Sequence, residues 1–209
     1  MKYFTLLISF VFSSVYSQVY VSNNSFIYNR NSLVFVTGNV ELNGANSNFY
    51  LRNEGQLLQG TTGTSTNRGV GKLSVFQEGS SDNFDYNYWC SPVGNASAAI
   101  GNENFGITML NRPTSVTAST PANMISGLNG VSTNSSLDIA KFWIWKYLSS
   151  NVYDPGGAGW ISVQDASTLA AGQGFTMKGT SGSDNTNVGE ATVNNPGGAQ
   201  RYDFRGKPN

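Results

Sequence analysis

The stretch WISVQDASTLAAGQGFTMKGT, residues 160–180, has the order of a strand, a loop, a tight glycine turn and a second strand. In the second strand, Phe175 and Met177 alternate with polar residues, which is the period of a strand with one buried face. The segment Gly172–Gly179 therefore predicts a hairpin corner. We expect its apolar side chains to pack on the two aromatic segments of the chain, Tyr86–Trp89 and Trp143–Trp145.

One of these aromatic segments, FWIWKYL at 142–148, is apolar on both of its alternating faces. Such a pattern is typical of a central strand, so Trp143 and Trp145 are predicted to lie in the core. The intervening turn DPGGAG, residues 154–159, predicts that residues 142–148 form an antiparallel hairpin with Trp160–Val163.

The other aromatic segment contains YNYWC at 86–90. Alternation along a strand places Phe84, Tyr86 and Tyr88 on one face. Cys90 is the only cysteine of the chain and follows a tryptophan, which predicts a buried, structural thiol.

The composition favours short strands joined by polar turns. Charged residues make up 11% of the 209 residues, against roughly 25% in an average soluble domain. Aromatic residues account for 12%, which argues against disorder, and Gly occurs 24 times. Glycine, asparagine and serine supply turns, whereas aromatic and β-branched residues favour strands. The sequence therefore predicts an all-β protein.

Two β regions are predicted, at 18–80 and 81–209. In the first, short strand-like pieces end at Gly or Asn, and several begin about eight or nine residues apart. A β-meander and a small parallel β-solenoid both fit this spacing. A polar stretch at residues 78–82 predicts a boundary. The second region is predicted to form an antiparallel β-sandwich or jelly-roll-like module, which we expect to continue beyond Asn209.

Residues 1–17 have the features of a signal peptide. Lys2 precedes a short apolar run, and small residues precede Ser17–Gln18, the predicted cleavage point. The apolar run is shorter than the about 20 residues that cross a bilayer as a helix. We therefore expect a secreted or outer-surface protein with no membrane span in the mature chain. A buried N-terminal strand is the alternative for this segment.

Charge and residue content exclude several classes of function. The 12 basic and 12 acidic residues give a formal net charge of zero, and the Lys and Arg residues are scattered singly. Without a basic patch, we expect no nucleic-acid partner and no binding to an anionic membrane surface. The chain has no His, which excludes Ser-His-Asp and Cys-His nucleophiles within it.

No motif for catalysis, a cofactor or a metal is found. The segment Asp184–Glu190 offers oxygen ligands for calcium, but Thr186 and Val188 fall at ligand positions, which favours a solvated turn. A hydrolase that uses only carboxylates needs two acids facing each other across a cleft, and no local pattern points to such a pair. We therefore expect no catalytic residues, no metal and no cofactor.

Several motifs in a fixed order resemble one group of proteins. They are WCSPVG (89–94), WIWKY (143–147), Trp160, GQGFTMKG (172–179) and YDFRGKPN (202–209). Together with the Ser17–Gln18 cleavage context, this order resembles the N-terminal regions of large secreted Bacteroidota proteins, particularly flavobacterial ones, that are exported by type IX secretion. The resemblance implies a further β module and a C-terminal sorting domain beyond this stretch, and it implies no catalytic residue.

These features predict a non-catalytic, secreted or surface-attached β module of a larger exported protein, with a structural or adhesive role. The alternative is a carbohydrate-binding accessory module of a polysaccharide-degrading enzyme. The expected partners are an extracellular glycan or another surface partner, together with the export machinery. Tyr147, Tyr153 and Trp160 are the candidate ligand-binding residues, because Tyr and Trp present large apolar ring faces with a polar tip. Exposed, coplanar aromatic rings beside a groove would favour the alternative.

Overall fold

A computed structural model describes residues 18–60, 65–148, 159–189 and 192–209. These ranges contain 21 strands, two short 3-10 turns and no α-helix, so the predicted all-β class is confirmed. Within the same ranges, no helix has the length and apolar character needed to cross a bilayer. The predicted signal peptide lies outside the described residues.

The first seven strands coil as a small parallel β-solenoid. They are β1 (Val19–Ser22), β2 (Phe26–Arg30), β3 (Leu33–Val36), β4 (Val40–Asn43), β5 (Asn48–Arg52), β6 (Gln56–Gln59) and β7 (Lys72–Gly79). Parallel pairs join β1 to β4, β2 to β5, β3 to β6 and β5 to β7.

The register shows how far the chain advances in each coil. Val19 pairs with Val40 and Leu33 with Gln56, which are 40 − 19 = 21 and 56 − 33 = 23 residues apart. A meander would pair neighbouring strands antiparallel, whereas these strands pair in parallel across a full coil. Of the two predicted alternatives, the solenoid is therefore the correct one.

Asparagines shape the corners of the first coil. Asn24 and Asn31 have φ angles of 60° and 53°, a left-handed conformation that Asn tolerates better than most residues. Inside the coil, the Asn29 amide Nδ2 donates to the carbonyls of Ser32 at 2.8 Å and Gln56 at 3.1 Å. This buried amide ties the first coil to the second.

The described residues after β7 form fourteen further strands. They are β8 (Tyr86–Cys90), β9 (Val93–Gly94), β10 (Leu110–Pro113), β11 (Ser119–Pro121), β12 (Asn123–Ile125), β13 (Gly130–Ser132), β14 (Leu137–Ala140), β15 (Trp145–Tyr147), β16 (Trp160–Ser162), β17 (Gly174–Lys178), β18 (Thr180–Gly182), β19 (Asn187–Gly189), β20 (Thr192–Val193) and β21 (Gln200–Pro208). Short 3-10 turns occupy Ile107–Met109 and Lys141–Trp143.

A seven-stranded sheet, the main sheet, runs from the solenoid into the second region. Its order is β11-β10-β21-β7-β5-β2, and β9 also pairs with β21. Strand β21 lies antiparallel to β7, with Gln200 opposite Gly79, a separation of 200 − 79 = 121 residues. The predicted boundary near residue 80 falls just after β7, and the sheet continues across it.

A four-stranded antiparallel sheet, the aromatic sheet, packs on the main sheet in the order β16-β15-β17-β8. The ring of Phe204 on β21 lies 5.8 Å from that of Trp89 on β8 and 5.6 Å from that of Phe105. Phe105 stacks in turn on Phe175 of β17 at 6.1 Å. These aromatic side chains form the apolar core between the two sheets.

The third sheet differs from the prediction. Its order is β12-β14-β13-β18, and the pairs β12–β14 and β13–β18 are parallel. The predicted antiparallel pairing therefore holds for the aromatic sheet, whereas this sheet is mixed, with β13 and β14 antiparallel and the other two pairs parallel. Strand β18 leaves the aromatic sheet after β17 and pairs with β13.

The predicted hairpin between residues 142–148 and Trp160–Val163 is confirmed, because β15 and β16 pair antiparallel with Tyr147 opposite Trp160. The predicted hairpin corner at Gly172–Gly179 is wrong. Strands β16 and β17 do not pair with each other but flank β15 on opposite sides. The tight turn itself is present, since Gly172 has φ 77° and the chain enters β17 from it.

Candidate functional site

The aromatic sheet turns one side to the core and the other outward. Antiparallel register places Trp145 opposite Thr176, and Thr176 opposite Tyr88. Residues directly opposite one another project from the same side of a sheet. The adjacent rows hold Trp160 with Tyr147, and Lys178 with Tyr86. We call the outward side the aromatic face, and its aromatic members are Tyr86, Tyr88, Trp143, Trp145, Tyr147 and Trp160.

Alternation in β8 explains why rings point outward. In the sequence YNYWC, Asn87 is buried and Trp89 packs against Tyr202 and Phe204 of the main sheet. With a period of two, Tyr86 and Tyr88 must then lie on the opposite side. Tyr88 has 78% of its surface exposed, which is unusual for so large a ring.

The rings offer several stacking surfaces with different tilts. Tyr147 and Trp160 lie 5.3 Å apart with 60° between their planes, and Trp160 is 47% exposed. Tyr86 and Trp143 lie 6.4 Å apart and nearly perpendicular, at 83°. The face therefore is not a single plate of coplanar rings.

A shallow groove runs across the centre of the face. Strand β17 contributes only small outward residues there, Gly174 and Thr176, whereas the strands beside it carry rings. Two adjoining depressions of about 220 and 250 Å³ result, and both are lined by Tyr88, Trp160 and Thr176. Thr176 and Gly174 thus form the floor, and the walls are aromatic.

Two polar groups lie at one end of the face. Burial raises the pKa of the Tyr86 hydroxyl, and the neighbouring Tyr88 raises it further, so the phenol stays protonated and remains a hydrogen-bond donor. The Lys178 ammonium lies 3.8 Å from the centre of the Trp143 ring and 5.4 Å from that of Tyr86. This arrangement is a cation–π contact with two rings.

Two of the three predicted ligand-binding residues meet on this face. Tyr147 and Trp160 are cross-strand partners in ring contact. Tyr153 lies outside the described residues. Burial of Trp143 and Trp145 in the core was predicted and is wrong, because both side chains are only partly buried and stand on the outer face.

The alternation along residues 143–147 is as predicted, but only one of its two faces is buried. Trp143, at the end of the 3-10 turn Lys141–Trp143, and Trp145 share the outer face. Ile144 is fully buried and accepts a hydrogen bond from the backbone N–H of Val163 at 2.8 Å. Once Ile144 faces the core, Trp145 and Tyr147 must face outward.

Tyr86 and Tyr88 were missed as site residues because dense aromatic sequence predicts a core. The signal was nevertheless present: Asn87 and Trp89 alternate with the two tyrosines, so only one set can face the core. Cys90 shares the outward side with them and is exposed, which overturns its predicted burial. Its partner in the register is Gly174, which has no side chain to cover it.

Asp184, in the segment Asp184–Glu190 that was considered for calcium, has a structural role. Asp184 is buried and receives hydrogen bonds from Arg112, Ser132 and Asn194, so it is not part of a solvated turn as predicted. Glu190 lies outside the described residues. In the part of the chain that the structure describes, no three Asp, Glu or Cys side chains are grouped to hold a metal ion.

A second concave region lies beside the solenoid. This cavity of about 330 Å³ is lined by Glu54, Phe76, Glu78 and Arg201, among others. Arg201 donates to the Glu78 carboxylate and to the carbonyl of Val193, so these groups hold strands together. The large side chains of the aromatic face, by contrast, are exposed on the outer side of the sheet. Exposed apolar surface of this kind often marks a binding site, so we take the aromatic face as the candidate site.

No known protein family, curated protein or solved structure matches the chain. The resemblance to secreted Bacteroidota proteins and the export route stay predictions. Function therefore has to be argued from the aromatic face.

Proposed function

We propose that the chain is a non-catalytic module of a secreted protein that binds carbohydrate on its aromatic face. This proposal joins the predicted adhesive role to the carbohydrate-binding alternative: the rings are exposed beside a groove, as that alternative requires, although they are not coplanar. The observation that carries it is the groove of the aromatic sheet, in which the exposed rings of Tyr88 and Trp160 stand on either side of Thr176.

A sugar ring has an apolar C–H face and a rim of hydroxyl groups. Its apolar face packs on Tyr or Trp, whose side chains combine a large apolar surface with a polar tip. Ligand sites are commonly apolar surfaces with a few placed polar groups that fix orientation. The groove has this make-up, since Tyr88 and Trp160 supply apolar ring surface and Thr176 lies between them.

The rings of the aromatic face stand on a rigid sheet, which favours specific ligand binding. Tyr88 and Trp145 are held by regular strands, and the opposite side of the aromatic sheet is anchored in the core through Trp89 and Phe175. Sites built on strands keep their geometry better than sites on loops, and a preorganised surface loses less entropy on binding.

Binding to a panel of purified polysaccharides tests the proposal, first by affinity electrophoresis and then by calorimetry. Replacing Trp160 or Tyr88 by Ala is expected to weaken binding about fivefold or more, since truncating an aromatic anchor in a site costs more than about 1 kcal/mol.

Phe26→Ala is the matched control, because Phe26 is also an exposed ring, at 63%, but lies on β2 of the solenoid. It should bind like the wild type. Thermal unfolding of each variant verifies that the fold is kept. If the wild type binds no polysaccharide, or if Phe26→Ala weakens binding as much as Trp160→Ala, the proposal is wrong. Capture of a protein by the same face would instead assign it to a protein interface.

A further inference from the structure

The aromatic face carries one fixed positive charge. Lys178 ends β17, and its ammonium lies over the Trp143 ring at 3.8 Å. Trp143 is itself held in place, because its Nε1–H donates to the carbonyl of Leu128 at 2.7 Å and its ring packs edge-on against Phe142 at 4.7 Å. The cation therefore sits at a defined position at the end of the rows of rings.

Within the described ranges, this charge has no acidic partner. Among the described residues, no carboxylate oxygen lies within 4.0 Å of the Lys178 ammonium. Two other lysines near the aromatic sheet are engaged: Lys141 pairs with Asp165 at 2.9 Å, and Lys146 donates to the carbonyl of Thr168 at 2.8 Å. Asp85 directly precedes β8, and its backbone carbonyl accepts a hydrogen bond from the N–H of Gly179, which follows Lys178, at 3.2 Å.

No aspartate or glutamate stands in the rows of the aromatic face. A chain with a formal net charge of zero thus places a positive site beside its groove. A ring contact satisfies one side of an ammonium group, and its remaining N–H donors still need acceptors. A charged acceptor forms a shorter and stronger hydrogen bond there than a neutral hydroxyl does.

We propose that the aromatic face selects anionic glycans, whose sugar units carry a carboxylate or a sulfate group, and that Lys178 determines this specificity. The inference rests on the proposed carbohydrate binding and adds the class of sugar. The rings supply stacking for any glycan, while Lys178 supplies an interaction that only a charged glycan can use fully.

The experiment compares polygalacturonate with neutral galactan at low salt by calorimetry. The wild type is expected to bind polygalacturonate about tenfold more tightly, since hydrogen bonds to charged groups are worth about that factor. Raising the salt concentration should reduce this preference, because exposed charges are screened. A sulfated galactan as a third ligand distinguishes sulfate from carboxylate as the recognised group.

Lys178→Gln should lose the preference, measured as the ratio of the affinities for the two polymers, and Lys178→Arg should restore this preference. Lys146→Gln is the matched control and should leave the preference unchanged. Equal affinity of the wild type for charged and neutral polymers, or a preference that survives in Lys178→Gln, overturns the inference while carbohydrate binding stands. Binding to none of the polymers removes both proposals. Binding to anionic lipid vesicles as tight as to polygalacturonate would show a general anion site and overturn the glycan specificity.

Discussion

Arg112 on β10 and Asp184 form a two-point ion pair inside the protein, with Nε to Oδ2 at 2.9 Å and Nη2 to Oδ1 at 3.0 Å. Their side chains are 2% and 0% exposed. Ser132 of β13 and Asn194 each donate a further hydrogen bond to Oδ2 at 3.0 Å. The pair thereby links the main sheet to the sheet that contains β13.

Removing Arg112 should destabilise the fold strongly. Arg112→Met leaves the Asp184 carboxylate buried without its cation, and breaking a buried pair costs about 3–5 kcal/mol. Urea unfolding measures the change in the free energy of unfolding. Arg68→Met is the control, since its pair with Glu41 is partly exposed, and such pairs contribute about 0–1 kcal/mol. Equal effects of the two substitutions would contradict a special role for the buried pair.

Asp184 should make stability depend on pH in the acid range. Burial alone raises the pKa of this carboxyl, but the hydrogen bonds from Arg112, Thr186 and Ser132 outweigh burial and hold the pKa below its usual value of 3.8. The stabilisation is therefore present above pH 3.8 and is lost as the pH falls below it through the folded-state pKa. Urea midpoints of the wild type should fall in this window, whereas Asp184→Asn, although less stable, should lack this component of the decline.

Asp203 should have the opposite effect. Burial raises the pKa of its carboxyl above 3.8, although Arg52, Arg205 and the hydroxyls of Ser119 and Ser74 oppose the shift. The folded protein then binds more protons than the unfolded chain above pH 3.8, so stability falls as the pH rises through the folded-state pKa.

Asp203→Asn tests this second dependence, because an amide does not ionise. The hydroxyls of Ser74 and Ser119, at 2.6 and 2.5 Å from the carboxylate oxygens, can rotate to suit the amide. Unfolding free energies of the variant should lack the component of the decline that Asp203 gives the wild type above pH 3.8. An identical pH profile for both proteins would show that Asp203 does not titrate in this range.

Gly179 should not tolerate a side chain. A Cβ there would lie 1.8 Å from the carbonyl oxygen of Ser81, and a backbone atom cannot move aside cheaply. Gly179→Ala is expected to lower the free energy of unfolding by about 1–3 kcal/mol or more, as overpacking does. Gly174→Ala, at the start of the strand that ends just before Gly179, is the control, because its Cβ would meet its nearest atom at 3.7 Å. Similar losses in both variants would argue against the steric explanation.

The sequence was most informative where strands alternate regularly. The all-β class and the pairing of β15 with β16 followed from aromatic alternation and the glycine turn between them. Phe175 and Met177 face the core as their period predicted. The solenoid was one of two alternatives, since short strands ending at Asn or Gly fit both; only the parallel partners, a full coil apart, distinguish them.

Only some residues of the aromatic face could be predicted from the sequence, and the reason is physical. Tyr147 and Trp160 were expected near a ligand, but Trp143, Trp145 and Tyr88 were not. A local pattern shows that two sets of residues face opposite ways, and it does not show which way is the core. In the structure Ile144 is the buried member, so the tryptophans on the opposite face lie outside the core.

The position of β21 in the middle of the main sheet has a consequence for the order of assembly. Strand β7 can pair with β5, which precedes it closely in sequence. Its other edge pairs with β21, where Gln200 lies 121 residues after its partner Gly79. Contacts so far apart in sequence form late, because the intervening chain must be closed into a loop first. During synthesis, therefore, β7 exposes an unpaired edge of eight residues until β21 emerges, and any extended peptide of suitable pattern competes for it in that interval.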